Sequence, residues 1–227
     1  MPAPRFYPAL VAAFATSLVV SNIIAVKLVS VLGMTLPAAV FLFPVTYILG
    51  DVLTEVYGLR RAQQAIWIGF ACNLLAVAAI WIGGRLPAAA FWDAGSYPGP
   101  AEASKAYLAI LGFAPRLLVA SFVAYLVGEF LNAWVLVRLK AATKGRYLWV
   151  RTIGSTLLGQ GVDSVIFLTG AFAGILSLPT LLGTIGSQWL FKTSYEILAT
   201  PLTYGVVRGL KRAEGLDGGE AIPRPTS

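Results

Sequence analysis

The stretch AIWIGFACNLLAVAAIWIGG, residues 65–84, contains 20 consecutive residues without a charged side chain. A bilayer core about 30 Å thick is crossed by about 20 helical residues. This stretch is therefore long and apolar enough to form a transmembrane helix. It predicts that the chain is a membrane protein.

The composition of the whole chain agrees with that prediction. Of its 227 residues, 58% are hydrophobic and only 12% are charged, whereas soluble domains carry about 25% charged residues. This composition excludes a soluble enzyme, a disordered chain and a nucleic-acid-binding domain. The chain has no histidine, so a Ser–His dyad and a histidine-ligated metal are excluded. Its one cysteine, Cys72, lies in an apolar stretch and is interpreted as a buried packing residue.

Six stretches are predicted to span the membrane, and together they define an all-α fold. They run from about 7 to 32, 36 to 57, 65 to 84, 117 to 137, 152 to 176 and 179 to 207. Residues 1–212 are thus expected to form a single six-helix transmembrane domain, and residues 213–227 a disordered cytoplasmic tail. The longest connection, residues 87–115, is expected to carry a short interfacial helix over 102–111.

The basic residues predict the orientation of this bundle. Of 17 Lys and Arg residues, twelve fall on the side that contains both termini, and only Arg85, Lys105 and Arg116 fall on the other. Cytoplasmic loops of membrane proteins are enriched in Lys and Arg. Both termini are therefore expected in the cytoplasm, and the net charge of +7 is attributed to topology and to contact with lipid.

Seven charged residues fall within the predicted spans, where each costs at least a few kcal/mol at mid-bilayer and marks a candidate functional site. They are Lys27, Asp51, Glu55, Glu129, Asp163, Lys192 and Glu196, accompanied by the amides Asn22, Asn73, Asn132, Gln160 and Gln188. Helical spacing places Asp51 with Glu55 on one face, and Gln188, Lys192 and Glu196 on one stripe. If these faces point inward, they line a polar chamber.

Structural roles for the acidic pair at the end of the second span remain open. Asp51 and Glu55 lie near Arg60 and Arg61, so interfacial salt bridges would also explain them. Lys27 could extend its aliphatic side chain so that its ammonium group reaches the outer membrane interface.

The remaining intramembrane charges leave a different choice open. Lys192 and Glu196 could neutralise each other within one helix, whereas Glu129 and Asp163 have no cation within one turn of their own helix. The partner of these two acids is then either Lys192, from another helix, or a ligand.

Three segments in order resemble the queuosine precursor transporter family, also called the VUT family. They are SNIIAVK (21–27), FPVTYILGDVLTEVYG (43–58) and RTIGSTLLGQGVDSVIF (151–167), and the likeness extends to about Lys211. The resemblance implies an importer in the bacterial inner membrane. Its substrates would be 7-deazaguanine bases with a 7-cyano or 7-aminomethyl group, which feed queuosine synthesis for transfer RNA modification.

Under that resemblance the polar residues have chemically suitable roles. A carboxylate from Glu129 or Asp163 could accept the ring N–H and exocyclic amine of a guanine-like edge. Tyr47, Trp189 or Phe167 could stack on the ring. The expected substrate-binding set is Asn22, Tyr47, Asp51, Glu55, Glu129, Asn132, Gln160, Asp163, Gln188 and Lys192. No catalytic residue, metal or cofactor is expected.

The expected activity is uptake by alternating access, with the chain acting alone or as a homodimer. Coupling to a proton, to another ion or to none stays open. One alternative is a substrate-capture subunit of an ATP-driven importer. A less favoured one is a metal-dependent intramembrane enzyme using Asp51, Glu55 and Asp163.

Overall fold

A computed structural model describes residues 4–142 and 148–216, which form a mostly helical chain. The elements in order are α1 (Tyr7–Ile24), β1 (Leu28–Val31), β2 (Met34–Pro37), a short 3-10 helix (Ala38–Phe41), α2 (Phe43–Tyr57), α3 (Leu59–Gly83), α4 (Gly99–Leu111), α5 (Ala114–Ala142), α6 (Leu148–Phe172) and α7 (Leu178–Ala213). The helical class is confirmed, and the short helix expected at 102–111 is present as α4.

Within the described residues, three helical stretches are long and apolar enough to cross a membrane. They are Tyr7–Ile24, Arg60–Gly83 and Gly99–Gly128, and Leu157–Phe172 forms a shorter apolar helix. Six spans therefore stay a prediction. The second predicted span falls short because α2 has only 15 residues. The loop residues 143–147 and the tail from 217 onward lie outside the described residues, so the disordered tail also stays a prediction.

The first predicted span, 7–32, is wrong at its C-terminal end. The helix ends at Ile24, and the chain continues into an antiparallel hairpin in which Leu28 pairs with Pro37 and Val31 with Met34. The turn residues Leu32 and Gly33 both have positive φ, 52° and 79°, which matches the twist of a two-residue hairpin turn. A short apolar run fits a strand as well as a helix, so hydropathy alone joined the two elements.

Two buried apolar clusters occupy opposite ends of the molecule. The hairpin-side cluster consists of Ala25, Ala39, Leu117, Ala120, Ala124, Phe167, Leu168, Ala171, Phe172 and Leu181. The termini-side cluster consists of Val11, Phe14, Val52, Leu53, Val56, Tyr57, Ala62, Ala65 and Val207. Burying these side chains away from water or lipid headgroups gives each end its own packed core.

A layer of polar side chains lies between these clusters. Its position follows from helical spacing, since residues four apart in a helix lie one turn apart. Ser21 precedes Ala25 by four residues, and Ser164 precedes Leu168 by four. We call Ser21, Asn22, Asp163, Ser164, Gln188 and Lys192 the polar layer. All except Asp163 are buried, and Asp163 is partly exposed.

The two ends of the described chain meet beside the termini-side cluster. Glu214, just after α7, accepts hydrogen bonds from the backbone N–H groups of Arg5 (3.0 Å) and Phe6 (2.8 Å). It also accepts one from the hydroxyl of Tyr57 at the end of α2 (2.8 Å). Thus α2 and α7 end together, and they run in the same direction from the hairpin end to the termini end.

Small residues allow the central helices to pack closely. A Cβ atom added at Gly128 would lie 3.1 Å from the Cβ of Asp163, and one added at Gly170 would lie 2.9 Å from the Cβ of Ala120. Membrane helices commonly approach each other at such positions. Cys72 is exposed on α3, so its interpretation as a buried packing residue is wrong.

Candidate functional site in the polar layer

A recess between α2 and α7 brings charged and aromatic side chains together. Its walls are formed by Val40, Phe43, Pro44, Tyr47, Ile48 and Asp51 on one side, and by Phe191, Lys192, Tyr195, Glu196, Ala199 and Thr203 on the other. The enclosed volume is about 30 Å³, which is room for about two water molecules. The recess is therefore a narrow site in this conformation.

An ion pair between Asp163 of α6 and Lys192 of α7 adjoins the recess. The Lys192 ammonium donates a hydrogen bond to Oδ2 of Asp163, and the two side chains are only 6% and 16% exposed. A buried charge without a partner is strongly unfavourable, so each charge compensates the other. Of the partners that the sequence left open for Asp163, the structure shows Lys192, which reaches it from another helix.

Aromatic rings surround the same ammonium. The Nζ atom of Lys192 lies 5.2 Å from the ring centroid of Phe43 and 5.8 Å from that of Tyr47. Both distances fall within the range of cation–π attraction. Because Phe43 and Tyr47 are four residues apart on α2, one helix face supplies both rings.

A chain of polar contacts links α2, α6 and α7 next to this pair. The hydroxyl of Tyr47 donates to Oε1 of Gln160 at 3.4 Å, and Nε2 of Gln160 donates to Oε2 of Glu196 at 3.4 Å. Glu196 was left out of the expected binding set, although its place on one stripe with Gln188 and Lys192 was the signal that could have included it.

Several polar atoms of the layer have no hydrogen-bond partner within the described residues. They are Oγ of Ser21, both amide atoms of Asn22, Oγ of Ser164 and Nε2 of Gln188. An unsatisfied buried polar group costs roughly 1–3 kcal/mol. Such groups are rare in native proteins and call for an explanation, such as a bound molecule or ordered water.

The acids of α2 differ in position. Both are exposed, but Asp51 lines the recess, whereas Glu55 lies one turn further along and does not line it. Neither forms an ion pair with Arg60 or Arg61 within the described residues. The interfacial salt bridges considered from the sequence are therefore not observed.

Two of the expected stacking residues, Trp189 and Phe167, do not line the recess. Trp189 donates a hydrogen bond to the carbonyl of Leu157 at 2.9 Å, so its ring fastens α7 to α6. Phe167 belongs to the hairpin-side cluster and packs edge-on against Phe43, with 6.1 Å between the ring centroids. The sequence missed Phe43, Phe191 and Tyr195, which line the recess.

The side chains of Glu129 and Asn132 lie outside the described residues. Their helix is nevertheless placed close to the site, because Gly128 packs against Asp163. Among the side chains that the structure describes, no group of three His, Cys, Asp or Glu residues is arranged to hold a metal ion.

Comparison with known proteins gives the site its context. A family model described as "Putative vitamin uptake transporter" matches residues 37–206. A "Probable queuosine precursor transporter" of Bacillus subtilis (strain 168) is 29% identical over 203 residues, which are 88% of this chain and 83% of that protein. The "Queuosine precursor transporter" of Escherichia coli (strain K12) is 28% identical over 152 residues, 67% of this chain and 62% of that protein. No solved structure matches the chain.

These matches confirm the resemblance drawn from the three sequence segments. The matched region, 37–206, contains α2, α7 up to Val206 and the whole recess between them. The protein is accordingly a membrane transporter and not an enzyme. The chain belongs to the transporter family whose model carries the description "Putative vitamin uptake transporter", the family that includes the queuosine precursor transporters.

Proposed function

We propose that this protein imports queuosine precursors, 7-deazaguanine bases, across the bacterial inner membrane by alternating access. The names of the two relatives support the substrate class. The buried polar layer supports a site for a hydrogen-bonding solute between two apolar clusters. Transporters commonly bind their substrates near the middle of the membrane.

The observation that carries the proposal is the Asp163–Lys192 pair beside the recess. A guanine-like edge presents a ring N–H next to an exocyclic amine, and one carboxylate can accept both. The base would take the place of Lys192 on Asp163, and the ammonium would stay against the rings of Phe43 and Tyr47. Tyr47 also offers a ring face on which the base can stack.

The size of the recess supports a change of conformation during transport. About 30 Å³ of enclosed space is far below the 300 Å³ or more of a typical small-molecule pocket. A bicyclic base therefore requires α2 and α7 to separate. Separation at one end and then at the other is the alternating access that we propose.

The arrangement of the chain ends supports the proposed topology. Arg5 and Glu214 are in contact, so the two ends lie on the same side of the bundle. The excess of Lys and Arg on that side favours the cytoplasm. We propose six spans in this orientation, in contact with the lipid bilayer, and a homodimer as the assembled form.

Uptake of labelled 7-deazaguanine bases tests the function. The chain is expressed in a bacterial strain that cannot make these bases, and queuosine in transfer RNA is measured after feeding. We expect wild type to restore queuosine and Asp163→Asn to lose at least tenfold in initial uptake rate, whereas Asp93→Asn, an exposed acid in the loop before α4, keeps the wild-type rate. No rescue by membrane-inserted wild type contradicts the substrate class, and normal uptake by Asp163→Asn contradicts the site.

Two further measurements address coupling and partners. Uptake with and without an uncoupler distinguishes proton coupling from facilitated diffusion. Uptake by the purified chain alone in liposomes would exclude the need for a separate ATPase. If the chain supports uptake in cells but the purified chain does not in liposomes, a capture subunit is favoured.

A further inference from the structure

We propose that the last part of α7, residues 202–213, is a gate arm that closes the termini side of the recess, and that the Glu214 carboxylate is the latch that holds this arm shut. The arm pivots at Pro201. The use of the gate for import rests on the proposed function, whereas the movement of the arm is measured without any substrate.

The two parts of α7 are held in different ways. Before Pro201, the helix is fastened to α6 by the Trp189 hydrogen bond to the Leu157 carbonyl and by the Lys192–Asp163 ion pair. After Pro201, Val207 is the one buried side chain of residues 202–213. A segment with few buried apolar side chains opens at a lower cost in free energy than a packed one.

Pro201 separates these two parts. It has no backbone N–H, so the carbonyl of Ile197, four residues earlier, loses its helical partner, and helices commonly bend at such a position. Ala199 and Thr203, on either side of the proline, both line the recess. A bend at Pro201 therefore changes the recess directly.

The gate arm lies with the end of α2 on the termini side of the recess. Val207 belongs to the same buried cluster as Val52 and Val56 of α2, and Leu210 packs against this cluster in part. These apolar side chains separate the recess from the end of the molecule where Glu214 lies. Movement of the arm away from α2 would remove that barrier.

The carboxylate of Glu214 ties the far end of the arm to two other helices. It accepts hydrogen bonds from the backbone N–H groups of Arg5 and Phe6 at the start of α1, and from the hydroxyl of Tyr57 at the end of α2. Hydrogen bonds to a carboxylate are about twice as strong as neutral ones, and the N-terminus of a helix favours a negative charge. Glu214 lies 13 residues beyond Pro201, or about 20 Å of helix, so a pivot at the proline displaces this end most.

The start of α1 is a fixed point for the latch. The Tyr7 hydroxyl donates to the Arg61 carbonyl of α3 at 3.0 Å. Further along, a Cβ atom added at Gly69 of α3 would lie 2.9 Å from the ring of Phe14, so α1 and α3 are closely packed. The latch therefore connects a moving arm to a packed pair of helices.

The test measures how often the recess becomes accessible. Ala199→Cys places a thiol in the recess wall at a position that is 8% exposed, and Cys72→Ser removes the exposed natural thiol. The purified full chain is placed in lipid nanodiscs, and its rate of reaction with a water-soluble maleimide is measured. We expect Glu214→Ala to raise the rate at least threefold, and Tyr57→Phe, which removes one of the three bonds, to raise it by less.

Two controls separate gate opening from general loosening. Ala39→Cys places the thiol in the hairpin-side cluster at a position that is fully buried, and its rate should not respond to Glu214→Ala. Asp93→Ala removes an exposed acid in the loop before α4 and should leave the rate at Ala199→Cys unchanged.

The pivot is tested by a change in the opposite direction. Pro201→Ala restores a backbone N–H for the Ile197 carbonyl, and the proline is exposed, so alanine fits the site. We expect this variant to lower the labelling rate at Ala199→Cys at least threefold. Should Glu214→Ala fail to fold, Tyr57→Phe and Pro201→Ala still have to change the rate with opposite signs.

The outcomes distinguish this inference from the proposed function. An unchanged rate in folded Glu214→Ala, or an equal increase at Ala39→Cys, overturns the latch. An unchanged or raised rate in Pro201→Ala overturns the pivot. If the rates change as expected but wild type takes up no 7-deazaguanine base, the gate arm is supported and the proposed function fails.

Discussion

Lys192 of α7 and Asp163 of α6 form an ion pair within the polar layer, with side chains 6% and 16% exposed. The pair lies where the predicted bilayer would exclude water, so loss of either charge would leave the other without its partner. It fastens α7 to α6 and at the same time holds the carboxylate that we propose for the substrate. The proposed site thus assigns stability and binding to the same two side chains.

Removing one partner of this pair should be more harmful than removing both. We expect Lys192→Met to lower the free energy of unfolding by about 3–5 kcal/mol, because it leaves Asp163 buried and unpaired. The double variant Lys192→Met/Asp163→Asn should be more stable than Lys192→Met alone. Thermal unfolding of the purified protein in detergent measures both effects.

The exposed pair of Lys105 with Glu102, with a bond of 2.7 Å, provides the control. Its removal should leave stability close to that of the wild type, as is usual for surface ion pairs. Simple additivity of Lys192→Met and Asp163→Asn would contradict coupling between the two side chains.

Replacing Asn22 by Leu should keep or raise the stability of the protein and lower its uptake of the base. It is 1% exposed, and both of its amide atoms lack hydrogen-bond partners within the described residues. Asn22→Leu keeps the branching at Cγ and removes two unsatisfied polar atoms, so the thermal midpoint should stay equal or rise. Base uptake, and the stabilisation that the base gives by binding the native state, should fall.

Asn73→Leu is the comparison for that variant. Asn73 is also 1% exposed, and its Nδ2 atom lacks a partner in the described chain, but it lies on α3 and is not part of the polar layer. Its uptake should remain at the wild-type rate. Reduced stability of Asn22→Leu together with unchanged uptake would assign Asn22 a purely structural role.

The contact between the chain ends should make stability depend on acidic pH. Hydrogen bonds from the Phe6 backbone N–H, the Tyr57 hydroxyl and the Arg5 backbone N–H lower the pKa of Glu214 below its ordinary value of 4.5. A carboxyl group with a lowered pKa in the folded state stabilises the fold at pH values above its unfolded pKa. That contribution is lost as the pH falls below about 4.5 through the lower folded pKa.

Glu214→Gln removes this titration. The difference in thermal midpoint between wild type and Glu214→Gln should be largest at neutral pH and should shrink below about pH 4.5. Tyr57→Phe deletes one donor to Glu214 and keeps the ring, whose centroid lies 5.3 Å from that of Tyr7. It should reproduce part of the decrease in thermal midpoint. If the difference in thermal midpoint between wild type and Glu214→Gln is the same from neutral to acidic pH, the charge of Glu214 does not contribute to stability.

Two helical glycines should respond to alanine with opposite signs. A Cβ at Gly170 would lie 2.9 Å from the Cβ of Ala120, so Gly170→Ala forces α6 and α5 apart and should cost about 1–3 kcal/mol. A Cβ at Gly183 on α7 meets nothing within 4 Å, so Gly183→Ala should stabilise the helix by about 0.5–1 kcal/mol. Thermal midpoints of the two variants test this pair, and equal destabilisation would contradict the packing described here.

Much of the helical architecture could be predicted from hydropathy, because long uncharged stretches such as 65–84 have few alternatives to a helix. The hairpin at Leu28–Pro37 could not, since a short apolar run fits both a helix and a strand. The acids and amides within the spans pointed to the polar layer because charge in a bilayer is costly. Glu196 was missed because Lys192, four residues away, offered a sufficient partner on its own helix.

Aromatic residues were the least predictable part of the site. Trp189 and Phe167 fit a stacking role by composition, but one ring fastens α7 to α6 and the other fills an apolar cluster. Phe43 lines the recess because of the way α2 faces α7. Which helix faces meet depends on packing between elements distant in sequence, and a single sequence does not encode it as a local pattern.

The exposed position of Cys72 makes the protein well suited to spectroscopic labelling. It is the single cysteine of the chain and lies on the surface of α3, so Cys72→Ser gives a thiol-free background with little cost to packing. Introduced cysteines at exposed positions of α2 and α7, such as Thr54→Cys and Arg208→Cys, could then carry a pair of spin labels. The distribution of distances between the labels would record the separation of the two helices directly, in the membrane and with each base added in turn.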